Sequence, residues 1–106
     1  MYRKGVFSVK ITKNQTGKSL VISVQGRLDT LTAPELEEVF RESLGDAEEL
    51  TLDFSELDYI SSAGLRALVG AEREMRGKGG MKIVHASELV KEVFEVTGFS
   101  TVLNVE

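Results

Sequence analysis

Leu52-Asp53-Phe54-Ser55-Glu56-Leu57-Asp58-Tyr59-Ile60-Ser61-Ser62-Ala63-Gly64-Leu65 decides how this chain is read. With Leu50 and Thr51 in front of it, the run to Phe54 is apolar and ends at an abrupt polar break, the pattern of a short buried strand. After Ser62, Leu65, Leu68 and Val69 recur at i, i+3 and i+4, which is one face of a helix. The segment between reads as an acidic loop. Ser61 and Ser62 therefore open a helix of about Ser62 to Arg76 behind a strand. A serine there accepts from the first backbone N–H groups, and the positive end of the helix dipole equally suits a phosphoryl group. The pair is either a cap or a switch. Two features favour a switch. Ala63-Gly64 gives the hydroxyls little cover and lets another backbone approach. The preceding loop mixes acidic and apolar residues (Asp53, Glu56, Leu57, Asp58, Tyr59, Ile60), as a partner-binding surface does.

Upstream, Phe7, Val9 and Ile11 alternate with polar residues, as in a half-buried strand. Asn14-Gln15-Thr16-Gly17 carries turn chemistry, and Leu20, Ile22 and Val24 form the inward face of a second, antiparallel strand. Val21 adds a second apolar face, which points to a central position. Gly26 to Thr30 reads as a loop. Thr32 with Glu35 makes a capping box, with Pro34 in the first turn. Leu36, Val39, Phe40 and Leu44 are the apolar stripe of a first helix that Gly45 ends. Downstream, Gly77-Lys78-Gly79-Gly80 stops the second helix. Met81 to His85 reads as a strand. Ser87 caps a third helix with Leu89, Val90, Val93 and Phe94 inward, and Gly98 ends it. Val102 to Val105 is a last short strand or a packed tail.

The order ββαβαβα(β) makes a single α/β domain over residues 1–106, with a mixed, mostly parallel sheet of four to five strands packed by helices. In such a sheet the loops after the second, third and fourth strands gather at one edge, where open α/β sheets bind ligands. Asp29, Asp53, Asp58, Ser61, Ser62 and His85 are expected there.

Composition narrows the function. A chain of 106 residues, 42% hydrophobic and 28% charged, can bury one core. The formal net charge of −4 and the absence of a basic cluster argue against nucleic-acid binding, and the chain has no tryptophan to stack bases. It contains no cysteine, so it has no disulfide, thiolate nucleophile or Cys-based metal site. No run of about 18 apolar residues suggests a membrane span, and Met1 to Gly5 lacks a signal-peptide core; a cytoplasmic protein is expected. Asp29, Ser62 and His85 resemble a nucleophilic triad, but no Gly-x-Ser-x-Gly elbow accompanies them. Gly77-Lys78-Gly79-Gly80 follows a helix and lacks the Gly-Lys-Ser/Thr ending of a phosphate loop. The carboxylates lack metal-ligand spacing. Arg3 and Lys4 read as a solvated end. No catalytic residue, metal or cofactor is expected.

Leu52-Asp53-Phe54-Ser55 and Ile60-Ser61-Ser62-Ala63-Gly64-Leu65 resemble the signature of the STAS domain family, specifically its bacterial anti-sigma factor antagonists. Gly26-Arg27-Leu28-Asp29 and Ala33-Pro34-Glu35-Leu36 resemble a second signature of that family. The resemblance implies a non-enzymatic module. Its unphosphorylated form binds an anti-sigma factor that is also a serine kinase, which frees the sigma factor. Phosphorylation of one serine releases it, and a serine phosphatase resets it. In the family register that serine falls on Ser62. Ser61 stands where an aspartate is usual and is a rival acceptor one position away. Ala63 stands where a second serine is usual. Asp29, Asp58, Ile60, Ser61, Gly64 and Leu65 would form or shape the partner surface. The alternative is a STAS module that senses a ligand or binds a nucleotide at the same edge.

Overall fold

The computed structural model describes residues 9–106, so Phe7, Arg3 and Lys4 lie outside the described residues. The elements are β1 (Val9–Thr16), β2 (Ser19–Leu28), α1 (Ala33–Ser43), β3 (Glu49–Ile60), α2 (Ser62–Arg76), β4 (Met81–Val84) and α3 (Glu88–Thr97), with short 3-10 turns at Leu44–Asp46 and Phe99–Thr101. The sheet is four-stranded in the order β1-β2-β3-β4. β1 and β2 are antiparallel, and β2, β3 and β4 are parallel. This is the mixed α/β sheet that the alternation of elements implies.

The core lies between one face of the sheet and the helices. Leu20, Ile22 and Val24 of β2, Leu50, Leu52 and Phe54 of β3, and Ile83 of β4 are buried against Leu36 and Phe40, Leu65 and Leu68, and Val90 and Phe94. β2 is central, as expected, but Val21 is 37% exposed on the opposite face rather than part of a second buried face. Val102 to Val105 is a packed tail: Leu103 is buried and Val105 makes one isolated parallel bridge to Ile83.

Several local features differ from the sequence reading. The hairpin turn is only Gly17-Lys18, because Thr16 already pairs with Ser19. Gly17 has φ 62, the positive value that a two-residue hairpin loop needs. Residues 26–28 continue β2. Gly45 sits inside a 3-10 turn, and α1 is instead finished by Lys78, whose ammonium donates to the carbonyls of Leu44 (2.7 Å) and Ala47 (3.0 Å). His85 falls after β4 with φ 62. In α3, Ser87 does accept from Val90 N–H and Gly98 does take the left-handed conformation, but Leu89 is 54% exposed, not inward.

The largest difference is β3. It runs for 12 residues to Ile60, so the expected acidic loop is strand. Its register against β2 shifts twice, from Asp53 to Glu56 and from Leu57 to Tyr59, each shift placing one extra residue on β3. These β-bulges reset the alternation. Phe54, Leu57 and Ile60 are all buried although they are three apart, so the two-residue period vanishes while the strand continues.

Candidate functional site

The parallel strands β2 and β3 end together at the paired residues Leu28 and Ile60. Ser61 is the whole connection to α2. Its N–H donates to Leu28 O at 2.8 Å, and its carbonyl accepts the first helical bond from Leu65 N–H at 2.9 Å. Its side chain caps nothing. Ser61 Oγ is buried without a hydrogen-bond partner among the described residues. Ser62, the first residue of α2, is exposed. The two hydroxyls, equivalent in sequence, thus differ in access.

Under the serines the packing is tight. A Cβ on Gly64 would stand 2.7 Å from Ile60 Cγ1 and 3.0 Å from Leu28 Cβ. Ile60 is 1% exposed and Leu65 2%. These three expected contact residues therefore cannot meet a partner directly. The glycine serves an internal close approach, and the apolar pair anchors α2 to the sheet. Asp58 is exposed.

Asp29 is a staple of the β2–α1 loop as well as an edge carboxylate. Oδ1 accepts from Leu31 N–H (3.0 Å) and Thr32 N–H (3.1 Å). Burial pushes its carboxyl up, but these N–H groups, the Thr32 hydroxyl and the Arg27 guanidinium outweigh it and hold it below the ordinary value. Thr32 Oγ1 donates to Arg27 O at 2.6 Å and accepts from Asp29 N–H at 2.9 Å. Its hydroxyl is consumed there, so the capping box with Glu35 does not form.

The pairing of Arg27 with Tyr59 and the exposure of Leu31 next to this loop escaped the sequence reading. Arg27 lies 4.4 Å over the Tyr59 ring and 3.6 Å from Asp29 Oδ2. Leu31 is 67% exposed at the loop tip. Arg27 and Tyr59 are cross-strand partners, a relation visible only once the bulged register is known.

Asp53 and His85 do not join this group. β4 ends with Val84 opposite Asp53, while β3 continues to Ile60, roughly 20 Å further at ordinary strand rise. There His85 Nδ1 meets Asp53 Oδ1 at 3.2 Å. Asp53 also accepts from Ser55 N–H, and that bond, with His85, keeps its carboxyl below the ordinary value against the effect of burial. The expected single edge is therefore staggered into two places, and Asp29, Ser62 and His85 are not brought together. No helix among the described residues is long and apolar enough to cross a membrane.

Comparison with known proteins agrees with this architecture. A family model described as "Mlab, STAS domain" matches residues 11–104. BtrV of Bordetella bronchiseptica, which bears the name of an anti-sigma factor antagonist, is 31% identical over 99 residues, 92% of this chain and 85% of that protein. The crystal structure of an anti-sigma factor antagonist from Mycobacterium paratuberculosis superposes with a TM-score of 0.83 at 22% identity, over 92% of this chain and 84% of that one. The Bacillus cell fate determinant SpoIIAA in its phosphorylated form gives a TM-score of 0.70 at 19% identity, over 92% and 91%. A match over this much of the chain is decisive: the chain belongs to the STAS domain family.

Proposed function

We propose that this chain is an anti-sigma factor antagonist, a single-domain cytoplasmic binding module whose switch is Ser62. In its unphosphorylated form it binds an anti-sigma factor that is also a serine kinase, and so releases the sigma factor. The kinase transfers the terminal phosphoryl group of ATP to Ser62. The Oγ–P bond forms, the hydroxyl proton leaves and ADP is released. A serine phosphatase hydrolyses the ester and resets the switch. The module performs no chemistry of its own.

One observation carries this reading. Of the two serines, Ser62 presents an exposed hydroxyl at the start of α2, whereas Ser61 Oγ is buried. The name of the Bordetella relative and the phosphorylated form of SpoIIAA support it. The mechanism is electrostatic. A phosphoryl group adds close to two negative charges four residues after the exposed Asp58, which disfavours a docked partner without requiring a change of fold.

The test is to incubate the protein with ATP and its partner kinase and map the label by mass spectrometry. Label on Ser62 alone is expected. Label on Ser61, or on neither serine, overturns the assignment.

A further inference from the structure

The start of α2 is electrostatically unfinished. It has no side-chain cap and no acidic residue in its first turn. Leu65 N–H makes the first helical bond, to Ser61 O. The N–H groups of Ser62, Ala63 and Gly64 therefore precede the helical ladder. Helices usually meet such donors with a carboxylate or a capping hydroxyl. Here the N-cap hydroxyl, Ser61 Oγ, is buried without a partner among the described residues.

Arg66 completes the pattern. It is exposed, one turn beyond Ser62. Residues at i and i+4 are surface neighbours, with Cβ atoms roughly 5–6 Å apart. Long helical side chains lean toward the N-terminus, which brings a group on Ser62 within reach of the Arg66 guanidinium. Its neighbours three and four positions away are Ser62, Ala63, Val69 and Gly70, none of them acidic. Arg41 and Arg76 each pair with a glutamate on their own helix, and Arg27 pairs with Asp29. Arg66, like Arg73, makes no ion pair among the described residues, and of the two it alone lies one turn from Ser62. A cation near a helix N-terminus opposes the dipole, so helix stability does not account for it.

We propose that Arg66 is the built-in receptor for a phosphoryl group on Ser62. Once the group is attached, the guanidinium pairs with it across the first turn and holds it over the free N–H groups of Ser62, Ala63 and Gly64. This rests on Ser62 as the phosphoacceptor. It makes the switch rigid: the added group is fixed in one place at the docking edge, and the first turn of α2 gains the anion it lacks.

The test needs neither kinase nor partner. Phosphoserine is installed genetically at position 62 of the full chain, and its second ionisation is followed by phosphorus NMR in the wild-type background, in Arg66→Gln and in Arg66→Lys. The charged residues of the neighbouring strand ends and loop, Arg27, Asp29 and Asp58, are the same in all three. The wild-type phosphoserine is expected to titrate about 0.15–0.4 pH unit lower than in Arg66→Gln, the size of one i,i+4 pair. Arg66→Lys should restore most of the difference, and about 1 M salt should remove it. The Arg66 Nε–H resonance should move through the same titration. Equal titration in wild type and Arg66→Gln, or an Arg66 resonance indifferent to the phosphoserine, overturns the proposal. Because the group is encoded, a failure of the kinase to label Ser62 counts against the switch alone and leaves this pairing standing.

Discussion

Gly64 lies so close to Ile60 that a methyl group in place of its hydrogen would stand 2.7 Å from Ile60 Cγ1. The next nearest atom, Leu28 Cβ at 3.0 Å, belongs to the neighbouring strand, so the site cannot relax by one rotamer change. Gly64→Ala should therefore destabilise the protein by about 1–3 kcal/mol, as overpacking does, despite the roughly 1 kcal/mol that alanine ordinarily adds to helix propensity. Urea denaturation measures the sum. A gain in stability would mean that the strand ends and α2 are not in this contact.

Ser61→Ala should leave stability unchanged or slightly higher. A serine that caps a helix costs about 1 kcal/mol when replaced by alanine. Among the described residues Ser61 Oγ makes no such bond and is buried unpartnered, so its removal relieves a desolvated group. A loss of 1 kcal/mol or more in chemical denaturation would show that the hydroxyl is engaged after all.

Asp29 should make the protein acid-sensitive in a defined window. Its folded-state ionisation is held below the ordinary 3.8, so its contribution is complete above that value and is lost as pH falls through the lowered one. Asp29→Asn should thus be less stable than wild type at pH 7, and the gap should narrow steadily as pH falls to and below the ordinary 3.8. Stability measured by denaturant titration at several pH values tests this. A gap that widens on acidification contradicts the staple.

How far the site was legible in sequence depended on periodicity. The start of α2 could be placed because Leu65, Leu68 and Val69 keep a clean 3.6-residue stripe, and the choice of Ser62 over Ser61 came from the family resemblance. The second half of β3 could not be read as strand. Two bulges change the spacing of Phe54, Leu57 and Ile60 from two to three, and a strand without alternation looks like a loop. The same error placed Ile60 on the surface and hid the Arg27–Tyr59 pair. The serines' difference in burial is likewise a tertiary fact, since nothing local distinguishes adjacent hydroxyls. The short β4 explains the misplacing of His85: sequence gives strand order, but not where a strand stops relative to its neighbour.

Lys78 should prove structural. Its ammonium holds the carbonyls of Leu44 and Ala47 at the end of α1. Lys78→Met keeps the length and removes the donor, and should lower stability by about 1–3 kcal/mol without affecting phosphorylation of Ser62. Parallel denaturation and kinase assays separate the two effects. A variant of unchanged stability would show that these carbonyls do not need the lysine.

The most direct measurement is the affinity of the partner anti-sigma factor for Ser62→Ala and Ser62→Asp, by calorimetry, beside the unphosphorylated wild type. Alanine should bind as wild type does, and aspartate should weaken binding at least about tenfold, a difference of roughly 1.4 kcal/mol. Equal affinity of the two variants, with both folded, would contradict the switch.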